Sequence, residues 1–364
     1  MKNLNKKTII TITGIRPDFI RMHSVFKLLD KNFNHILIHT GQHYSNKLSK
    51  IFFSELNIRR PDFNLSIGGK NNEHYHQSAK LSIKIIDLIR NKKINPDLIM
   101  FLGDSNSVTA SLALKKEGYC IAHIEAGMRS EDKRMLEEIN RIVCDHCSDF
   151  LFVYHNDYKK NLLRENIKNK NIYVVGNTIV EVAKNFFNFK NNQRKKYNKI
   201  LVDIHRPENF KYKDRLKLII KLCMDLSNYY KAEVEFLSFP RTINQIKKYQ
   251  LKTNKIKFVE LYSYKKFLME QYHSLCIISD SGTAQEESAL LQTPVITPRD
   301  FTERPQSMKF QCSYLFNLQK YDKSYRESIN YINKINNNPK SINTKWLGKG
   351  NTAKMIISIL KRNL

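Results

Sequence analysis

Glycine is scarce in this chain, 11 in 364 residues, and its placement excludes more than it offers. No GxGxxG occurs, so the fingerprint that seats a dinucleotide pyrophosphate is missing. No GxxxxGK(S/T) phosphate loop occurs either, which argues against ATP-type chemistry. The one Gly-x-Gly is Gly348-Lys349-Gly350, close to the end. Long apolar runs are missing too. None approaches the ~20 residues of a membrane span. Lys2, Lys6 and Lys7 precede an apolar stretch at 8–12, but Arg16 and Asp18 follow at once, and no hydrophobic region of signal-peptide length appears. The expectation is a cytoplasmic protein without membrane insertion.

Acidic residues are few beside basic ones, 34 against 62, for a net charge of +28. The lysines are scattered among Asn and Ile, as in 190–199 and 334–345. No dense arginine block or basic heptad pattern appears, which argues against a nucleic-acid partner. The charge reads as solvated surface whose positive field attracts a small anionic substrate. Cysteine offers one close pair, Cys144-Asp145-His146-Cys147, and no second CxxC completes a zinc site. His35, His39 and His43 fall on a strand and its end rather than on one helix face. No metal is expected.

At 364 residues and 41% apolar content the chain can bury two cores. Short apolar runs alternate with helical patterns. Strands are expected at 8–13, 34–40, 98–102, 120–124, 150–153 and 172–175. Helices are expected from the turn at Gly14 to about Leu29, over 45–56, 76–91 and 137–147, and from the Gly103 turn to about Glu117. A polar linker at 188–198 follows. The pattern then repeats, with strands near 200–204, 233–238, 256–260, 275–278 and 294–296, and a last amphipathic helix at 352–364. Repeated β-α units imply parallel, doubly wound sheets. The reading is an α/β protein of two Rossmann-like domains, residues 1–187 and 188–351, facing each other across a cleft.

Residues 279–305 organise this reading. Strand, Ser281-Gly282-Thr283 turn and helix follow one another. The first amides of such a helix lack partners within it, and its dipole puts partial positive charge there, so a phosphate or diphosphate is a natural guest. Glu287 lies about one and a half turns in, where a carboxylate can accept from sugar hydroxyls. Arg304 can reach back to the same anion. Other strand ends carry Gly14-Ile15-Arg16-Pro17, Gly103-Asp104, Glu125 and His205-Arg206-Pro207-Glu208-Asn209, with Glu137-Glu138 soon after Glu125. Each has a structural alternative: Asp104 as a helix cap, Glu125 as a partner of Arg129, Glu137 as a helix-start carboxylate. Together they mark the carboxyl ends of the strands, where open α/β sheets bind ligands.

These motifs, with His39-Thr40-Gly41-Gln42-His43, His123-Ile124-Glu125-Ala126-Gly127-Met128-Arg129, Gly176-Asn177-Thr178 and Thr302-Glu303-Arg304-Pro305, resemble the non-hydrolysing UDP-N-acetylglucosamine 2-epimerases over nearly the whole chain. The resemblance implies the two-domain GT-B fold, with the last helix packing back on the first domain. It implies inversion of C2 of a UDP-linked 2-acetamido sugar through loss of the C2 proton and of UDP to a glycal, without a nicotinamide or other cofactor. It assigns Asp104 and Glu137 to proton transfer and Glu125 to positioning or the second proton. Closely spaced carboxylates can divide acid and base roles in this way. His205, Arg16, Arg21 and the Ser281, Gly282 and Thr283 amides would hold the diphosphate, Glu287 the ribose, Phe267 and Tyr262 the uracil, and Arg304 would complete the anion site. A homodimer and a role in surface polysaccharide synthesis are further implications.

The chain departs from the family pattern in places. Leu136 stands for the usual Pro before Glu137, Thr283 for a second Gly, and Phe239 for a His that, in bacterial members, helps hold a second, activating UDP-sugar. Phe makes no such hydrogen bond, so self-activation by substrate is expected to be absent. Asp104-Ser105-Asn106-Ser107 and the Ser-Gly-Thr turn are similar to branches acting on 2,6-dideoxy or 2,3-diacetamido sugars. The rival readings are an epimerase of such a modified sugar, a GT-B glycosyltransferase, a basic nucleic-acid module, and a degenerate epimerase kept as a UDP-sugar binder.

Overall fold

Strands buried on both faces read as unbroken apolar runs, and in the computed structural model they assemble into two all-parallel sheets. The structure describes residues 6–41, 55–68, 74–188 and 198–364. The expected helix over 45–56, apart from its last two residues, Gln42 and His43, and all but the ends of the 188–198 linker lie outside these residues. The chain divides into two compact units: Met1–Val182 with Leu347–Leu364, and Ala183–Trp346.

The first unit holds a seven-stranded sheet of order β3-β2-β1-β4-β5-β6-β7. Its strands are β1 (Thr8–Thr13), β2 (Asn34–His39), β3 (Phe63–Asn64), β4 (Leu98–Leu102), β5 (Ile121–Ile124), β6 (Phe150–Val153) and β7 (Ile172–Val174). Register is fixed by pairs such as Ile10 with Ile36 and Ile99 with Ile121. Helix α1 (Arg16–Asn32) follows β1, and α2 (His74–Asn91) buries Leu81, Ile85 and Ile89 along one stripe, the i, i+4, i+8 spacing of a helix lying on a sheet. A 3-10 turn at Asn106–Ala110 leads into α3 (Ser111–Lys116), where the sequence suggests one helix. Helices α4 (Leu136–Cys147), α5 (Asn156–Arg164) and α6 (Ile179–Phe186) complete the run, α6 carrying the chain out of the unit. Ile10, Ile36, Ile99, Phe101, Val108 and Leu114 are core members. Each such side chain contributes about 1.5–3 kcal/mol by leaving water.

The second unit holds a six-stranded sheet of order β10-β9-β8-β11-β12-β13. Its strands are β8 (Lys199–Asp203), β9 (Glu233–Leu237), β10 (Ile256–Val259), β11 (Cys276–Ser279), β12 (Val295–Thr297) and β13 (Tyr314–Leu315). Its helices are α7 (Pro207–Phe210), α8 (Lys213–Tyr230), α9 (Pro240–Lys248), α10 (Tyr264–His273), α11 (Gly282–Leu291), α12 (Pro305–Lys309) and α13 (Tyr321–Asn337). Its core gathers Ile200, Val202, Leu216, Phe236, Ile278, Ile296, Phe316 and Ile332. The last helix, α14 (Thr352–Asn363), packs on α1 of the first unit. There Thr352 Oγ1 donates to the Val175 carbonyl at 3.0 Å, the Ala353 amide to Glu181 Oε1 at 2.9 Å, and the Asn177 amide to the Leu347 carbonyl at 2.8 Å.

Each sheet order reverses once, between β1 and β4 in the first unit and between β8 and β11 in the second. Such switch points open a crevice at the strand ends. Among the described residues no helix is long and apolar enough to cross a membrane, and no group of three His, Cys, Asp or Glu is placed to hold a metal ion.

Candidate active site

In the first unit the switch point gathers carboxylates. Asp104 ends the β4 turn, after Gly103 at φ +72°, a conformation that side-chain-bearing residues rarely adopt. Glu125 ends β5 at φ +71° without being glycine, a strained backbone of the kind held at functional sites. One guanidinium joins them: Arg141 Nη2 of α4 bonds Asp104 Oδ2 and lies 3.7 Å from Glu125 Oε1. Arg21 Nη1 of α1 lies 3.4 Å from the other Glu125 oxygen, Oε2. Both arginines are buried. Arg129 pairs instead with Asp145 and Glu165, so the alternative partner for Glu125 is engaged elsewhere.

Glu137 opens α4, half-buried, one turn before Arg141. Its neighbour Glu138 is buried and accepts from the Ser130 amide and hydroxyl and from the Glu131 amide, at 2.9, 3.0 and 3.1 Å. It pins the loop that leads into α4. Asn140 Nδ2 donates to the Asp104 carbonyl at 3.0 Å. Arg16 stands exposed in the first turn of α1.

Asp18 is a member of this group that the motif reading does not single out. Its Oδ2 accepts from the Gly14 and Ile15 amides at 2.8 and 3.1 Å. The start of α1 is therefore filled by the chain's own carboxylate. Burial first, then the nearby Asp104 and Glu125 charges, outweigh those hydrogen bonds and push its pKa up to about 7.

The second unit's switch point sets a histidine and arginines among carboxylates. His205 follows β8, its Nδ1 donating to Asp203 Oδ1 at 2.8 Å. Asp280, at the end of β11, accepts from the His205 and Arg206 amides and from Asn209 Nδ2 at 3.0–3.1 Å, which anchors the turn. Burial disfavours the imidazolium, but Asp203 and Asp280 lift the His205 pKa to about 9. With Nδ1 committed, Nε2 carries the second proton. The Phe239 ring packs 4.9 Å from the His205 ring, inclined by 36°.

Beside it, Ser281 precedes α11 and makes no side-chain hydrogen bond across the helix start. Gly282 is needed there for space. A Cβ would come within 2.2 Å of Arg304 Nη1 and 2.6 Å of its Cζ. Arg304 thus lies on the turn, with Nε bonded to Glu286 Oε1 at 2.7 Å and Nη1 to Glu303. Glu303 also takes Arg299 Nη1 at 3.0 Å, and Arg206 Nη2 lies 3.4 Å away. Burial and the Arg206 charge press the Arg299 pKa below its ordinary value. Thr283 is half-buried in the first turn of α11. Glu287 is buried further along, accepting from Gln271 Nε2 at 3.0 Å. Gln271 lies one turn beyond the half-buried Phe267 on α10. Tyr262 is half-buried before that helix, donating its hydroxyl to Glu235 Oε2 at 2.9 Å.

The described geometry offers paired carboxylates on arginines in one unit and, in the other, a protonated imidazole beside a helix start that has no side-chain cap and carries the Arg304 guanidinium. The family model described as UDP-N-acetylglucosamine 2-epimerase matches residues 27–361. The chain is similar to a Methanocaldococcus jannaschii UDP-N-acetylglucosamine 2-epimerase, 38% identical over 96% of this chain and 97% of the relative. It is 34% identical, over 81% of this chain and 84% of the relative, to a UDP-2,3-diacetamido-2,3-dideoxy-D-glucuronate 2-epimerase of Pseudomonas aeruginosa. The crystal structure of the M. jannaschii UDP-GlcNAc 2-epimerase in complex with UDP-GlcNAc and UDP is similar at a TM-score of 0.86 and 34% identity, covering 98% of this chain and all of that one. In fold alone the chain is also similar to Phytolacca americana UGT2, at a TM-score of 0.58, 8% identity and coverage of 98% of this chain and 99% of that one. The GT-B-like expectation for the fold is met.

Proposed function

The chain belongs to the UDP-N-acetylglucosamine 2-epimerase family, and from that membership we propose that it interconverts UDP-N-acetylglucosamine and its manno epimer. The observation that carries the reading is the pair Asp104 and Glu125 gathered on Arg141, near the buried Asp18 carboxyl.

A C2 proton beside an acetamido group is weakly acidic, so its removal needs a placed carboxylate. The C2–H electrons form the C1–C2 double bond and expel UDP from C1, and the proton passes to the base. Return of a proton to the opposite face of C2, with UDP re-forming its bond to C1, gives the epimer. Asp104 and Glu137 take the proton-transfer roles, and Glu125 positions or supplies the second proton. His205 donates through Nε2 to the departing diphosphate, where charge develops. Arg16, Arg21, Arg304 and the amides of Ser281, Gly282 and Thr283 hold the diphosphate. Glu287 takes the ribose, and Phe267 and Tyr262 the uracil. The cycle is redox-neutral. The protein works in the cytoplasm as a homodimer and supplies surface polysaccharide synthesis, the dimer being read by size-exclusion chromatography. With Phe239 against His205, initial rates are hyperbolic, and a sigmoidal, substrate-activated curve would sink that part.

Proton NMR of UDP-N-acetylglucosamine with the protein in deuterated water tests the reaction. The manno epimer with deuterium at C2 is the expected product. Accumulation of free sugar and UDP would instead mean hydrolysis. The Pseudomonas aeruginosa relative supports a second reading, a modified UDP-2-acetamido sugar as substrate. Exchange with a 2,3-diacetamido sugar but not with UDP-N-acetylglucosamine would select it.

A further inference from the structure

A buried ion pair in the first unit has no part in that chemistry. His123 of β5 is fully enclosed, and Asp145 of α4 nearly so. His123 Nδ1 lies 2.7 Å from Asp145 Oδ1, and Nε2 lies 2.7 Å from the Gly103 carbonyl oxygen. A carbonyl only accepts, and so does an ionised carboxylate. A neutral imidazole has one N–H, so one of these contacts would set two lone pairs against each other. The geometry closes when the pair holds a second proton, as imidazolium and carboxylate. The ionisable groups facing the ring are Asp145 and Cys144 from α4, with Arg129 behind Asp145. Burial opposes the imidazolium, yet Cys144 and Asp145 hold its pKa well above the ordinary value.

The pair reaches both first-unit strand ends that carry Asp104 and Glu125. His123 holds the Gly103 carbonyl, immediately before Asp104. Asp145 Oδ2 accepts from the Gly127 amide at 3.0 Å, two residues after Glu125, and from Arg129 Nη2 at 2.8 Å. Asp145 also lies one turn beyond Arg141, the guanidinium shared by Asp104 and Glu125.

We propose that the His123–Asp145 pair positions Asp104 and Glu125 for proton transfer, His123 by donating to the Gly103 carbonyl and Asp145 by holding the Gly127 amide. Both are positioning residues and touch no substrate. The inference rests on the epimerase reading above for the reaction that is positioned.

Gln and Asn separate the two ends of the ring, because the Gln amide nitrogen stands where Nε2 stands and the Asn nitrogen where Nδ1 stands. His123→Gln keeps the donor to Gly103 and is expected to lose less than about tenfold in kcat for C2 exchange. His123→Asn keeps only the Asp145 contact and is expected to lose about a hundredfold, the scale of a misplacement near 1 Å. In both, KM stays within about threefold. Asp145→Asn keeps an acceptor but no charge. Its oxygen stays on the Gly127 amide and its amide nitrogen donates to Nδ1, so a neutral ring still donates from Nε2 to Gly103, and kcat falls less than about tenfold at unchanged KM. Nitrogen-15 NMR of histidine-labelled protein at about pH 8, above the ordinary histidine range, is expected to show one buried ring with both nitrogens protonated. That signal is absent from His123→Gln and from Asp145→Asn. Equal losses in the His123→Gln and His123→Asn variants, losses confined to KM, a hundredfold loss in Asp145→Asn, or a singly protonated His123 in the wild type would each overturn the proposal. A wild type that leaves the C2 proton in place would count against the epimerase reading, while the ring's charge state is still read by NMR.

Discussion

The two sheets wind the same way and open at the same place, yet one switch point sets carboxylates on shared arginines and the other sets a histidine and arginines among carboxylates. The difference starts at the first helix after each. Just before α1 the Gly14 and Ile15 amides are taken by Asp18 of the chain itself, at 2.8 and 3.1 Å. At α11 Ser281 leaves the helix start uncapped by its side chain, and Gly282 keeps it low. In the first unit the dipole's partial charge is spent on a buried carboxyl whose own pKa is pushed up to about 7. In the second unit the helix start has no side-chain cap, and the pKa of the neighbouring His205 is lifted to about 9.

Breaking the carboxylate side has the largest expected effect. Asp104→Asn lowers kcat for C2 deuterium exchange by about a thousandfold, within the usual reach of general acid–base groups. Affinity for UDP, measured by calorimetry, stays within about threefold of wild type. A matching loss of UDP affinity would dissolve the contrast between the units.

Next comes the histidine side. His205→Gln costs about a hundredfold in kcat, as for loss of a donor to a developing anion. In the wild type, activity falls as pH rises through about 9, where His205 gives up its proton. The same sign governs stability. The raised pKa means a contribution that is full below 6.5, the unfolded value, and lost as pH climbs through about 9. His205 is 36% exposed, so solvent screens that contribution. A profile without this alkaline limb, or one that His205→Gln leaves in place, would remove His205 from the role.

Gly282→Ala sharpens the comparison at a single methyl. Its Cβ meets the buried Arg304 guanidinium, so UDP binding weakens by about tenfold and the second unit loses about 1–3 kcal/mol, the usual cost of overpacking. Calorimetry and melting read both, and an unchanged Kd would mean that the turn is not the anion site.

Asp18→Asn has the smallest effect and the opposite sign. With a pKa raised to about 7 from 3.8, the carboxyl contributes most below 3.8, and that contribution is lost as pH rises through about 7. Asn keeps an acceptor for the Gly14 and Ile15 amides without the buried charge. Thermal melts above about pH 7 should show it more stable than wild type by about 1 kcal/mol, the difference shrinking toward acid pH. Destabilisation at alkaline pH would mean that the ionised cap outweighs its burial.

The doubly wound pattern is legible because each central strand is an apolar run closed by a turn, as in Leu98–Leu102 before Gly103 or Cys276–Ser279 before Asp280. The edge strands Phe63–Asn64 and Tyr314–Leu315 escape, since two residues have no period to read. Asp104 and Glu125 can be found because strand ends are conspicuous. Asp18 cannot, because its meaning depends on Asp104 and Glu125, which the fold brings near. The Cys144–Cys147 pair draws attention as a possible ligand set, while the residue that bonds His123 is Asp145 inside it. That partnership spans 22 residues and two kinds of element, and no local pattern announces it.

The return of α14 to α1 sets an order of assembly. The second unit is one unbroken stretch of chain and can close as soon as it has been synthesised, whereas the first cannot cover α1 until residues 352–363 have arrived. Its first helix is thus among the last parts to be covered, and its loop-closure entropy is met late, across most of the polypeptide. During translation the carboxylate half waits, open, on a helix that the ribosome has yet to make.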